Sequence, residues 1–132
     1  DKRLKAGMTL TAPVISINEL QAGDAIGYGS LWTAKQPCRV AVVGLGYADG
    51  YPREMPEGTA VLINHQRREL IGRISMDMTF VKIEDTDEVS PGDRVTFWGE
   101  ELPVDEIANR IGTISYALMS GLTPRVKRVY EN

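Results

Sequence analysis

Three short segments set polar and aromatic side chains between glycines, where a turn can present them to a ligand. Gly27-Tyr28-Gly29-Ser30 places a phenol between two residues without side chains, so another group can approach it closely. A phenol can accept or donate a proton, but its ordinary pKa of about 10 calls for a partner that lowers it. No such partner is evident in this sequence. Gly46-Tyr47-Ala48-Asp49-Gly50-Tyr51-Pro52-Arg53 gathers two tyrosines and an arginine around a tight turn. Gly72-Arg73-Ile74-Ser75-Met76-Asp77-Met78 inserts Arg, Ser and Asp between two apolar runs. Taken singly, each segment reads more readily as structure, because tyrosines cap sheet ends and arginines pair with carboxylates.

Other chemistries fall away. His65 is the only histidine, so neither a histidine metal cluster nor a Ser-His-Asp triad can be built, and no metal site is expected. It stands between Asn64 and Gln66 and reads as a solvated turn residue. Cys38 opens the most apolar run and reads as a buried small hydrophobe. Gly44-Leu45-Gly46 follows a strand, but Gly50-Tyr51-Pro52 stops the helix that a dinucleotide-binding loop must open, so it is a turn. The run Glu84-Asp85-Thr86-Asp87-Glu88 lacks the central Gly and closing Glu of a calcium loop and reads as solvated charge. Trp32 and Trp98 are expected to pack.

The elements that must position these residues are short. The chain has 132 residues, 42% hydrophobic and 25% charged, with 15 basic against 18 acidic side chains and a formal charge of −3. This is the profile of one globular domain over 1–132, long enough to bury roughly two thirds of its unfolded surface. No run approaches the ~20 apolar residues of a membrane helix, and no basic and apolar leader opens the chain. The mild acidity argues against a nucleic-acid partner. A lone cysteine forms no internal disulfide and fits a reducing compartment. The first residue is Asp1 rather than Met, and sequence upstream of it is expected.

Thirteen Gly and seven Pro punctuate the chain into short apolar runs, the rhythm of a sheet protein. Strands are expected over 8–17, 25–28, 38–45, 60–63, 69–74, 78–83, 94–98 and 125–130. Pro13 marks an edge or a bend. The run from Cys38 to Leu45 is apolar enough to be buried on both faces. Val104, Ile107, Ala108 and Ile111 recur at helical spacing, with Pro103 suited to the first helical position and Gly112 to the end. A second short helix is expected over 113–120. The fold is therefore mainly β and barrel-like, with one or two short helices near the C-terminus.

Taken together, four segments resemble the C-terminal domain of alanine racemase, a pyridoxal-phosphate enzyme. They are Gly27-Tyr-Gly-Ser30, Val43 through Arg53, Gly72-Arg-Ile-Ser-Met-Asp77, and Ile114-Ser-Tyr116 followed by Arg125-Val126, and the likeness runs from about Met8 to Tyr130. The resemblance implies an N-terminal α/β barrel, absent from this chain, that carries the lysine bound to pyridoxal 5'-phosphate. It implies that L- and D-alanine are interconverted by two bases, for peptidoglycan supply in the cytoplasm. Tyr28 matches the second base, helped by a barrel histidine. Tyr116 matches the tyrosine that holds the cofactor phosphate, and Met76 the residue whose main-chain amide holds the substrate carboxylate. Tyr47 matches the inner constriction of the substrate entrance, and Arg53, Arg73 and Ile114 the layer outside it. A narrow, basic approach would suit a small amino acid with a carboxylate.

The resemblance further implies a head-to-tail homodimer with shared active sites, and no activity for this chain alone. Two other readings stay open: a related racemase of broader specificity, and a non-enzymatic β-barrel interaction module.

Overall fold

The computed structural model describes residues 2–5, 7–27 and 32–130. Ten strands and two short helices are assigned among them: β1 (Arg3–Lys5), β2 (Thr9–Leu20), β3 (Ala25–Ile26), β4 (Trp32–Thr33), β5 (Cys38–Val43), β6 (Ala60–Ile63), β7 (Gln66–Ile71), β8 (Thr79–Ile83), β9 (Arg94–Trp98), α1 (Val104–Asn109), α2 (Ser115–Ser120) and β10 (Lys127–Val129). Strands β2, β5, β8, β7, β6 and β9 follow one another around a closed barrel, because β2 pairs with both β5 and β9. Closure removes the exposed edges that short strands otherwise leave. The two remaining strands of this sheet extend it outward, β1 antiparallel to β2 and β10 parallel to β1.

Strand β2 makes closure possible by changing partners. It runs with β9 from Leu10 to Pro13 and with β5 from Val14 to Leu20. Pro13 has no N–H to give a ladder, and it sits where the strand turns between partners while its carbonyl accepts the Gly44 N–H at 2.9 Å. The expectation of an edge at Pro13 does not hold, because Pro13 pairs with Arg94 of β9 within the closed barrel. Leu10, Ala12 and Val14 face the core and Ile15 alternates outward, with a register shift in the β2–β5 pairing between Val14 and Ser16.

Strand β5 is buried on both faces, as its unbroken apolar run predicts. Ala41 and Val43 join the barrel core with Val61, Leu70, Val81, Val95 and Phe97. Val40 and Val42 form a second cluster outside the barrel with Ile26, Ile71 and Phe80, against which Trp32 and Cys38 pack. Cys38 is half-buried rather than buried, because it begins the strand at that outer cluster. Trp98 lies wholly in the core, stacked 6.4 Å from Tyr51, whose ring meets Phe97 edge-on at 5.1 Å.

Several boundaries move for local reasons. Strand β7 begins at Gln66 and ends at Ile71, three residues earlier than expected at each end. Asn64 and His65, both at positive φ, make a two-residue turn that starts the hairpin at once, and Gly72 at φ +68° ends the strand. His65 is that exposed turn residue, its Nδ1 3.0 Å from Glu101. Pro103 is the residue before α1 rather than its first helical residue, with ψ 136°. Ile107, Ala108 and Leu118 bury the two helices against the core. Among the described residues, no helix is long and apolar enough to cross a membrane.

Candidate functional site

Two loops at one end of the barrel form the walls of a cleft. The first leaves β5 and makes a single 3-10 turn at Tyr47–Asp49. The second, 72–78, joins β7 to β8. Backbone bonds tie them: the Tyr47 N–H donates to the Ser75 carbonyl at 3.0 Å and the Ala48 N–H to the Met76 carbonyl at 2.8 Å. The approach needs Gly46, since a Cβ there would lie 2.5 Å from the carbonyl of Met76. The Met76 N–H, in contrast, donates to no group among the described residues.

The cleft has a volume of about 950 Å³ and is lined by Tyr47, Arg53, Arg73 and Met76, four of the residues the sequence singled out. Ile26 and Phe80 from the outer cluster line it too, and so does Gly27. Tyr28, the candidate base, lies outside the described residues. The Arg53 guanidinium stands 5.0 Å from the centre of the Tyr47 ring, a cation–π contact within the cleft lining. Met76 is 54% exposed, so its side chain is offered to whatever occupies or covers the cleft.

The lining is not basic. Arg53 and Arg73 face Glu54, Glu57 and Asp77, so the expected positive approach is offset within this chain. Glu57 has a structural task as well, for its Oε1 accepts the Gly72 N–H at 3.0 Å and fixes the start of the second loop. Among the described residues, no lysine lines the cleft.

Ile114 and Tyr116 are not in this cleft. Ile114 immediately precedes α2, Tyr116 lies in its first turn, and both line a separate hollow with Asp105, Asn109 and Thr113. Both are highly exposed, at 67% and 74%. The Ser115 hydroxyl donates to Asp105 and ties α2 to α1. A third hollow, lined by Gly50, Pro52, Glu54 and Thr113, lies between the two groups and shares Glu54 with one and Thr113 with the other. The candidate residues among the described ones thus lie in two separate depressions with a third hollow between them.

What the chain offers a phosphate-bearing cofactor can be read from its donors. The Tyr116 hydroxyl has no hydrogen-bond partner among the described residues, its exposed side chain lines an open hollow, and a phenol donor suits a phosphate oxygen. The Met76 N–H suits a carboxylate in the same way. These donors fit pyridoxal 5'-phosphate and an amino acid, as a partial set.

Sequence reasoning missed Asp49, the wholly buried carboxylate of the first turn. Its Oδ2 accepts the Gly46 N–H at 2.9 Å, and its Oδ1 receives Lys2 Nζ at 3.0 Å and Arg125 Nε at 3.1 Å. The available signal was its spacing three residues after a glycine that must donate its N–H. Tyr51, two residues on, is core rather than site: burial raises its phenol well above the ordinary value.

Comparison with known proteins identifies the family and the fold. Residues 7–130 match the family described as alanine racemase, C-terminal domain. The alanine racemase of Shewanella amazonensis is 50% identical over 123 residues, 93% of this chain and 34% of that protein. That of Nitrosomonas eutropha is 50% identical over 126 residues, 96% of this chain and 35% of that protein. The structure of biosynthetic alanine racemase from Pseudomonas aeruginosa superposes with a TM-score of 0.90 at 47% identity, covering 98% of this chain and 36% of that one. Alanine racemase from Bartonella henselae, solved with covalently bound pyridoxal phosphate, gives 0.87 at 30% identity over 93% of this chain and 34% of that one. The chain spans about a third of the length of the relatives it matches. On sequence and on fold alike, it belongs to the alanine racemase C-terminal domain family.

Proposed function

We propose that this chain is the C-terminal part of a cytoplasmic alanine racemase that interconverts L- and D-alanine for peptidoglycan precursors. The observation that carries the proposal is the cleft at the barrel end, where Tyr47, Arg53, Arg73 and Met76 converge from two loops. Pyridoxal 5'-phosphate, when bound, supplies the electron sink for the charge left as the α-proton departs. The chain's own residues bind, orient and exchange protons. Tyr28 takes the proton from one face of the α-carbon and returns it in the reverse direction. A lysine of the N-terminal barrel domain serves the other face. The Tyr116 hydroxyl donates to a phosphate oxygen, and the Met76 N–H donates to the substrate carboxylate. Tyr47 narrows the entrance, with Arg53, Arg73 and Ile114 outside it.

Residues 1–132 form one domain in this reading, and the two copies of a head-to-tail homodimer share their sites. Tyr28 of one copy reaches the partner's barrel, which supplies the histidine that tunes it. The isolated chain is inactive. Racemisation by the full-length protein, followed in both directions, tests the proposal. Tyr28→Phe is expected to lose about 10²–10⁴-fold in both directions. Full rates in that variant would remove Tyr28 from the mechanism, and comparable rates on serine or lysine would replace alanine specificity with a broader one.

A further inference from the structure

Strands β3 and β4 pair over two residues each and form a small sheet apart from the barrel sheet. A ladder that short has little stability of its own, so side-chain packing sets where it stands. Backbone bonds close its base: the Gly23 N–H donates to the Ala34 carbonyl and the Ala34 N–H to the Asp24 carbonyl, both at 2.8 Å. Its other end is the pair Ile26–Trp32, and Tyr28 lies in the sequence between those two. Ile26 is buried with Phe80, Val42 and Ile71 in the cluster outside the barrel, and Trp32 packs against the same cluster. Phe80 stands in the middle of it, since its ladder partners are Val42 on β5 and Ile71 on β7. Its ring also meets Gly27, the residue bonded to Tyr28: Cε2 lies 3.9 Å from where a Gly27 Cβ would be.

Phe80 is equally tied to the loop that bears Met76. Strand β8 starts at Thr79, directly after the 72–78 loop, and the Ser75 N–H donates to the Met78 carbonyl at 3.0 Å, which folds the loop onto the strand. The Tyr47 and Ala48 amides brace the same loop from the other side. At its start, a Cβ on Gly72 would lie 3.6 Å from both Ile26 Cδ1 and Trp32 Cβ. Gly27, Met76 and Phe80 line one cleft. We infer that Phe80 is a positioning residue: its ring sets the segment that bears Tyr28 against the loop that bears Met76, so that the base and the carboxylate-holding amide meet the same substrate. The inference rests on the racemase reading given above. Proton transfer needs heavy atoms within about 2.6–3.2 Å of each other, so a small displacement of the phenol slows the step that it carries.

The test uses the full-length holoenzyme with Phe80→Leu, Tyr28→Phe and both together. Leucine keeps the cluster apolar and nearly filled, so this variant probes the seat even where Phe80→Ala fails to fold. The readouts are kcat/KM in both directions, the dissociation constant of pyridoxal 5'-phosphate, and the kinetic isotope effects of α-deuterated L- and D-alanine. Phe80→Leu is expected to lower kcat/KM about three- to tenfold, equally in both directions because the equilibrium is fixed, with cofactor binding within about twofold. Tyr28 breaks the α-carbon–hydrogen bond of L-alanine, and the lysine breaks that of D-alanine. Slowing Tyr28 alone is therefore expected to raise the isotope effect on L-alanine and lower that on D-alanine. The double variant is expected to be no slower than Tyr28→Phe, because Phe80 acts through Tyr28. Isotope effects that do not move, losses that multiply in the double variant, or a lowered Tm with unchanged rates would overturn the inference. An unsubstituted enzyme that does not racemise alanine would overturn the racemase reading, and this inference with it.

Discussion

Gly46 lies directly against Met76, so close that one added carbon would stand 2.5 Å from the Met76 carbonyl carbon. The obstacle is backbone on both sides, so no side chain can swing away to make room. Gly46 itself has an ordinary extended φ of −145°, and its requirement for glycine is therefore spatial, not conformational. Gly46→Ala is expected to push the 72–78 loop away from the turn and break the amide bonds to Ser75 and Met76. Overpacking of this kind costs about 1–3 kcal/mol. Thermal unfolding should show the loss, and in the full-length enzyme KM for alanine should rise more than kcat falls.

The Arg53–Tyr47 contact predicts a coupled pair within the cleft lining. An exposed cation–π contact contributes about 0.5–1 kcal/mol. Arg53→Met and Tyr47→Ala should each raise KM a few-fold while leaving kcat nearly unchanged. The double variant should do little more than the worse single one, because either change removes the same contact. Steady-state kinetics on the four proteins measure this directly.

Tyr51 offers a test of the core. Its hydroxyl is buried with no partner among the described residues, and burial raises its pKa well above the usual phenol value. Removing an unpaired hydroxyl relieves a desolvation cost, so Tyr51→Phe should leave stability unchanged or raise it by about 1 kcal/mol. Tyr51→Ala should cost about 3–5 kcal/mol by opening a cavity beside Phe97 and Trp98. Denaturant midpoints separate the two outcomes.

Acid should weaken the barrel through Asp87. The Arg68 guanidinium donates two bonds to its carboxylate, at 2.7 and 2.6 Å, and these first of all hold it below the ordinary carboxylate range; the Glu84 N–H helps. A depressed folded-state pKa stabilises the protein above the unfolded value of about 3.9, and that contribution disappears as pH falls through the folded value. Hydrogen bonds to a charged group are each worth about 1.5–3 kcal/mol. Asp87→Asn should therefore lower Tm at pH 7 and lose its effect well below pH 4, as a calorimetric pH series would show.

The parts of this fold that sequence made legible are short apolar or alternating runs set off by clear turns. Strands β6 and β9 have the expected limits because Gly58-Thr59 precedes an unbroken apolar run in β6 and Ser90-Pro91-Gly92-Asp93 precedes the alternation of β9. Strand β1 was invisible, since Arg-Leu-Lys carries little pattern and is a strand only because β2 and β10 flank it. Strand β7 was misplaced because Gln66, Arg67 and Arg68 are polar and their partners, including Asp87 and Glu106, are distant in sequence. The cleft residues were found through their resemblance to a family, not through periodicity. Asp49 escaped notice because Lys2 and Arg125, which complete its environment, sit at opposite ends of the chain.

The apolar cluster outside the barrel has a dynamic consequence. Hairpin strands β3 and β4 rest on it through Ile26 and Trp32, while the barrel core is built from other side chains. Opening of the β3–β4 pair is expected to uncover that cluster while the barrel core stays closed. Hydrogen exchange at the hairpin therefore reports a sub-global equilibrium, separate from the unfolding of the domain. Substitution at Ile26 or Trp32 can tune how long the hairpin stays seated without changing how firmly the barrel holds.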